Sequence, residues 1–145
     1  MPAWVQEGIA EYSKRMQGEL DFSLHEIPMA KRGKNGNIEQ YRQKEGDALL
    51  AAIPPNDLVV ALDVLGKSFS TEKLAEKIIE YRRQGQNLSL LIGGPDGLSA
   101  ECLARATERW SLSSLTFPHP LVRVVITEQF YRAISIIKGH PYHRS

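Results

Sequence analysis

Histidine, tyrosine and arginine crowd the end of the chain as Lys138-Gly139-His140-Pro141-Tyr142-His143-Arg144-Ser145. Imidazole titrates near neutrality and can take a proton at pH 7. An aromatic ring between basic side chains can stack on a nucleobase and hold phosphate. Histidines three apart resemble metal ligands, but no carboxylate or thiol stands beside them in sequence, and no metal is expected. A terminal segment that frays is the plain alternative. A second place for chemistry is Leu91-Ile92-Gly93-Gly94-Pro95-Asp96-Gly97. Glycines directly after a buried strand let backbone approach a ligand at the carboxyl edge of a sheet. The same residues also describe a tight turn that needs positive φ at Gly97. No Gly-Lys-Ser/Thr follows and the dinucleotide fingerprint is absent, which argues against phosphate binding there.

A third place is Ser111-Leu112-Ser113-Ser114-Leu115-Thr116-Phe117-Pro118-His119-Pro120. The two prolines fix their own φ and bias their predecessors toward extended geometry, so the segment is stiff. A stiff loop can read an adenine edge with its own carbonyls and N–H groups. It can equally be a rigid connection. Lys31, Arg32 and Lys34 form the densest basic cluster, on a Gly/Asn loop. Such clusters are usually solvated, and with Lys14 and Arg15 this one could form an RNA footprint. Glu128 and Arg132, four apart, read either as a surface ion pair or as a phosphate-binding arginine with its orienting acid. Cys102 sits among apolar residues and reads as core.

The elements that must position these groups follow from periodicity. Residues 3–16 carry Trp4, Val5, Ile9, Tyr12 and Met16 at helical spacing, and Gly18 stops that helix. Leu20, Phe22, Leu24 and Ile27 suggest a strand. A helix from Ile38 to Ala52 ends at Pro54-Pro55. Leu58-Val59-Val60-Ala61-Leu62 is a strand suited to a sheet covered on both faces, with Gly66 closing the turn after it. Ser70 starts a helix bearing Leu74, Ala75, Ile78 and Tyr81 inward, and Leu88–Ile92 is a second buried strand. Ser99 caps a helix through Thr107, and Leu112 to Phe117 reads as a short strand. The last helix begins at Pro120 and ends at Gly139. Along it Val122, Ile126, Ala133 and Ile137 form an inward stripe, and Arg123, Thr127, Tyr131 and Ser135 a polar one. Alternating strands and helices imply an α/β fold, a mainly parallel sheet with helices on both faces.

The 145 residues suit a single domain, 1–145, with one core. Apolar residues make up 42% and charged residues 24%, the balance of a soluble globular protein and not of a disordered one. No run reaches the roughly 18 apolar residues of a membrane span. The first residues lack a basic n-region and an apolar h-region, so they are not a signal peptide. A lone cysteine excludes an internal disulfide and fits a reducing cytoplasm. Eighteen Lys+Arg against seventeen Asp+Glu leave +1, so a nucleic-acid surface must come from local clustering.

Five segments occur together and in order: Ala30-Lys31-Arg32-Gly33-Lys34-Asn35, Leu91 to Ser99, Trp110-Ser111-Leu112-Ser113, Phe117 to Arg123, and His140 to Arg144. In these the chain closely resembles the bacterial large-subunit ribosomal RNA pseudouridine N3-methyltransferases of the SPOUT (α/β-knot) class. The resemblance covers essentially the whole sequence. It implies a trefoil-knotted α/β fold, a topology that general chain rules would not reach, and a homodimer formed through the knot helices. It implies an S-adenosylmethionine cleft built from three loops: the strand end at Leu62, the Gly93-Gly94 turn, and Ser113, Ser114, Leu115, Thr116, Phe117 and Pro118. It further implies methylation of N3 of a pseudouridine in cytoplasmic large-subunit ribosomal RNA, with the assembled ribosome as the expected substrate. His143 and His119 are then the candidate bases. Tyr142 and His143 would position the uracil ring, Arg144 and Arg132 would hold phosphate, and Lys31, Arg32 and Lys34 would contact the RNA. Neither metal nor membrane is expected.

Members of that family begin earlier, with a strand leading into the segment matching Met1-Pro2-Ala3-Trp4-Val5, so the first strand is expected to be absent here. Three rivals stand at this level: a SPOUT methyltransferase acting on transfer RNA, a non-catalytic RNA- or ribosome-binding module, and a generic nucleotide-binding α/β domain, against which the missing phosphate fingerprint counts.

Overall fold

Pairing of a central strand with two parallel neighbours organises half of the chain. The computed structural model describes all residues except Arg32, Lys34, Asn35 and Ser145, and the side chain of Arg144. It divides into two compact units, each assembled from separated stretches of sequence. One comprises Met1–Leu24, Phe69–Gly85 and Phe117–Ser145, and the other His25–Ser68 and Gln86–Thr116.

The second unit holds the sheet. Strands β1 (Leu58–Lys67), β2 (Leu88–Leu91) and β3 (Glu108–Trp110) lie in the order β2-β1-β3. Both pairings are parallel: Leu58 to Ala61 face Leu88 to Leu91, and Val60 to Leu62 face Glu108 to Trp110. Val59, Val60 and Ala61 are all fully buried, as the continuous apolar run requires when successive residues point to opposite faces. The regular ladder stops at Leu62. Trp110 faces both Leu62 and Lys67, so residues 63–66 loop out of β1 as a wide irregularity, and Leu65 stands 89% exposed on it. Gly66 therefore lies inside the strand rather than in a turn beyond it. A Cβ there would come within 2.7 Å of the Arg109 carbonyl, so the return of β1 onto β3 requires glycine.

Helices α2 (Ile38–Ala52) and α4 (Ala100–Arg105) belong to the same unit. Asn37 and Ser99 cap them by accepting bonds from Glu39 N and Cys102 N. Val59, Leu91 and Cys102 form the core, packed round by Leu49, Leu50, Ile53, Leu98 and Ala106. Cys102 is buried and free of any disulfide, as its sequence surroundings indicate. At the α2–α4 contact Gly46 faces Ser99, and an added Cβ would lie 2.3 Å from the Ser99 hydroxyl.

The first unit is helical. Helix α5 (His119–Ile137) packs against both α1 (Ala3–Arg15) and α3 (Thr71–Arg83), burying Val5, Ile9, Leu74, Ile78, Ile126, Phe130 and Ile134. Ser70 caps α3 through Lys73 N, and Gly18, Gly85 and Gly139 take positive φ beyond α1, α3 and α5.

Four sequence expectations are corrected. Residues 20–27 form no strand. Phe22 instead turns its ring onto Phe130, 5.9 Å between centroids, so the segment is held by side-chain packing and not by a ladder. The third strand is Glu108–Trp110, while 112–117 is a loop closed on itself: Ser111 Oγ donates to Ser113 O and Ser113 Oγ accepts from Leu115 N. Helix α4 ends at Arg105 rather than Thr107. The polar stripe of α5 is not a solvent face, because Thr127 and Ser135 are buried and bond back to the Arg123 and Arg132 carbonyls.

Gly46→Ala is expected to destabilise the protein by about 1–3 kcal/mol through overpacking at α4. Ser99→Gly in the same chain relieves the clash, so the double variant is more stable than the sum of the single losses in urea unfolding.

Candidate active site

Because all three strands run the same way, their carboxyl ends share one edge, and the chain order reverses across β1 there. Open α/β sheets bind ligands at such a point. The edge brings together Leu62, the turn after β2, and the loop after β3. The turn is built tightly. Gly97 N donates to Gly94 O at 3.0 Å, Gly97 has φ +78°, and a Cβ on Gly93 would fall 2.7 Å from the Gly97 carbonyl carbon. The reading of this segment as a tight turn with positive φ at Gly97 therefore holds, and the turn lies at the carboxyl edge of the sheet. Arg42 on α2 fixes the turn from outside, its Nε donating to Asp96 O at 2.9 Å. Glu45, also on α2 and buried, accepts from Ala30 N and stands beside Gly94, whose added Cβ would lie 3.2 Å from its Oε1.

Ser113, Ser114, Leu115 and Thr116 make the loop after β3. Ser113 is half-buried, while Ser114, Leu115 and Thr116 are exposed. Phe117 and Pro118 carry the chain into α5 and group with the helical unit. The backbone of this loop therefore projects at the sheet edge with an apolar side chain, Leu115, that nothing in its own unit covers: it is 70% exposed.

The basic loop is tethered on either side of Lys31. Ala30 N is bound to Glu45, and the Tyr41 hydroxyl accepts from Gly33 N and donates to Gly33 O. Lys31 itself is exposed. Arg32 and Lys34 lie outside the described residues, as does the side chain of Arg144.

The helical unit holds the second group of candidates. Gly139 ends α5 with paired bonds, Gly139 N to Ile136 O and His140 N to Ser135 O, which reverse the chain. A final 3₁₀ turn, Pro141–Arg144, thereby folds back onto α5. Tyr142 is wedged there. Its ring meets Tyr131 edge-on at 4.6 Å, the Arg132 guanidinium lies 5.0 Å from its centroid, and its hydroxyl is hydrogen-bonded to Tyr12. Burial, followed by the Tyr12 bond and the charge of Glu128, pushes the Tyr142 phenol up to about 12. Arg132 is held by Glu128 at 2.7 Å, a half-buried pair rather than a surface one, and the bond to Glu128 raises its already high pKa further. His143 Nε2 lies 2.8 Å from Glu72 Oε1 on α3. His119 is the first residue of α5, where backbone N–H groups favour an anion over a developing cation.

Sequence reasoning missed Glu72, Tyr12, Tyr131, Glu45 and Arg42. The contacts that place them at the site, Glu72 with His143, Tyr12 and Tyr131 with Tyr142, Glu45 with Ala30 and Arg42 with Asp96, span 11 to 130 residues, and no local spacing signals such pairs.

A parallel sheet with its glycine turn and stiff loop at one edge, in a chain bearing a basic loop and an aromatic-basic ending, defines a class that the comparisons specify. The family described as "Predicted SPOUT methyltransferase" matches residues 1–143, and the chain belongs to that family. It is a methyltransferase. Among its relatives is the ribosomal RNA large subunit methyltransferase H of Marinomonas sp. (strain MWYL1), 54% identical over 99% of this chain and 93% of that protein. Proteins of the same name from Saccharophagus degradans and Hahella chejuensis are 54% and 51% identical over 99% of the chain, covering 93% and 92% of their own lengths. Among the described residues, no helix is long and apolar enough to cross a membrane.

The Tyr142 phenol has its pKa raised on folding, so its contribution to docking the tail is fully present below the ordinary tyrosine value and is lost as pH rises through about 12. In an ultraviolet titration one phenol is expected to ionise well after the others, and Tyr142→Phe removes that last step.

Proposed function

We propose that this chain methylates N3 of a pseudouridine in large-subunit ribosomal RNA, with S-adenosylmethionine as methyl donor and the assembled ribosome as substrate. The observation that carries the reading is the 54% identity over 99% of the chain to relatives named ribosomal RNA large subunit methyltransferase H. A cytoplasmic location and a homodimer belong to the same proposal, as does treatment of the whole chain as one functional domain.

The sheet edge fits such a donor. Glycine at 93 and 94 leaves main chain bare beside the strand ends, the loop after β3 supplies carbonyl and N–H groups for an adenine edge, and exposed Leu115 offers an apolar face. Leu62, Gly93, Gly94 and residues 113–118 would hold it. When bound, S-adenosylmethionine supplies a methyl group on a sulfonium, already a good leaving group, so no metal is called for.

The acceptor needs more help, because N3 carries a proton that must leave before or during attack. We assign that proton to His143, because a neutral imidazole nitrogen can accept one. Tyr142 keeps its own proton and anchors the tail, setting His143 and the uracil ring in place. Arg132, oriented through Nε by Glu128, turns its remaining guanidinium donors to phosphate together with Arg144. Lys31, Arg32 and Lys34 contact the RNA through charge.

Calorimetric titration with S-adenosylmethionine is expected to give micromolar binding. Gly93→Ala, which forces the turn open, weakens it more than tenfold, about 1.4 kcal/mol. On assembled ribosomes, His143→Ala is expected to slow single-turnover methylation by roughly 10²–10⁴-fold, and Tyr142→Phe by less. Wild-type rates in both variants would end the assignment of the tail. Transfer of methyl to a transfer RNA pool and not to ribosomes would move the acceptor. Ribosome co-sedimentation without S-adenosylmethionine binding would leave a binding module.

A further inference from the structure

We propose that Glu72 is a positioning residue for methyl transfer: its carboxylate fixes His143 as the Nε2–H tautomer and so reserves the Nδ1 lone pair for the acceptor N–H. This rests on the reading of His143 as general base.

The argument begins with where Glu72 sits. It is the second residue of α3, beyond the Ser70 cap, in the part of a helix that favours negative charge. The bond to His143, followed by a bond to a backbone N–H, holds its carboxyl below the usual carboxylate range. An ionised carboxylate has no proton to give. At 2.8 Å from Glu72 Oε1, His143 Nε2 must therefore be the donor. A neutral imidazole carries one N–H, so Nδ1 is left bare.

Nδ1 is the nitrogen that lacks a partner. It is shielded from solvent and accepts no hydrogen bond from the described residues. A shielded acceptor without a donor is costly, and an incoming N–H removes that cost. The histidine side chain as a whole keeps 32% of its surface open, so the ring borders solvent.

Among the described residues, the charged side chains of α1 and α5 near this turn are bound to other groups. On α5, Glu128 and Arg132 bind each other and reach the turn through Tyr142. On α1, Arg15 is bound to Glu11 and lies over Tyr12 and Tyr131. From α3, Glu72 bonds the ring itself.

In the step, the N3–H bond breaks and its proton passes to Nδ1. The electron pair left on N3 forms the new bond to the methyl carbon, and the pair of the broken C–S bond stays on sulfur. His143 is then an imidazolium with Nε2–H still on the Glu72 carboxylate, and the proton returns to water.

Two measurements test this. Long-range proton–nitrogen NMR of the full chain reads the His143 tautomer without any substrate, and Nε2–H is expected in the wild type, with a mixture in Glu72→Gln. The pH profile of single-turnover methylation on ribosomes reads the consequence. Glu72→Gln lowers the plateau roughly tenfold and moves the acid limb to lower pH, since the imidazolium formed in the step loses its counter-charge. Glu72→Asp keeps the limb near its wild-type position, and S-adenosylmethionine affinity is unchanged in both. An active wild-type chain with His143 as Nδ1–H, or a Glu72→Gln profile superimposable on wild type, overturns the proposal alone. A wild-type chain that binds ribosomes but makes no product overturns the proposed function, and this inference with it.

Discussion

Parallel pairing of β1 with strands on both sides is the constraint from which the candidate edge follows. Antiparallel neighbours would send their loops to opposite ends, whereas two parallel ladders deliver Leu62, Gly93 and Ser111 to the same edge. The pairing is demanding because β1 has to leave the ladder at Leu62 and rejoin it at Lys67 opposite the same tryptophan. Ser111 N then bonds to Lys67 O, which ties the start of the loop after β3 to the end of β1. Gly66 makes this possible by letting two backbones pass closer than any side chain allows. The exposed Val64 and Leu65 are a consequence of that detour, not a failure of burial.

The helical unit depends on a smaller device. Without the reversal at Gly139 the residues after α5 would continue outward as a frayed end. With it, Tyr142 meets Tyr131, Arg132 and Tyr12, and His143 meets Glu72. Each of these contacts is modest by itself. Aromatic pairs and cation–π contacts contribute about 0.5–1.5 kcal/mol apiece, and together they are enough to order one terminal turn. The back-bonded Thr127 and Ser135 fit the same pattern, since hydroxyls satisfied within α5 allow a polar stripe to be buried beside apolar neighbours.

Much of this was legible in the sequence. The bounds of α2, the caps at Ser70 and Ser99, the buried run at Leu58 and the positive φ at Gly97 are local properties, written in adjacent residues. Most of what failed was decided by distant partners. Leu20 to Ile27 alternates like a strand, but alternation supplies no neighbour to pair with, and Phe22 found a ring instead. Glu108-Arg109-Trp110 carries little strand signal and becomes one because β1 offers it a ladder. Leu112 to Phe117 has better strand composition and is excluded by its own serine hydroxyls, which close turns on the backbone. The candidate site divides the same way. The glycines, the prolines and the Tyr-His-Arg ending announce themselves, whereas Glu72 is one acid among seventeen Asp and Glu until α3 sets it against the tail.

The two groups of candidate residues differ in kind, and the proposed chemistry explains why. A donor with a fixed shape and a reactive sulfonium asks only for recognition, which rigid main chain supplies, so the edge is made of glycine, proline and short hydroxylated residues. An acceptor nitrogen that still holds its proton asks for a base of defined tautomer, and main chain cannot provide one. That requirement falls on side chains, and a side chain near a chain end must itself be held. In the proposed mechanism Tyr142 fixes where the turn lies, and Glu72, 2.8 Å from Nε2, fixes how the imidazole is protonated. On the proposed mechanism, the turn folded back onto α5 is the means by which His143 acquires a definite proton-accepting nitrogen.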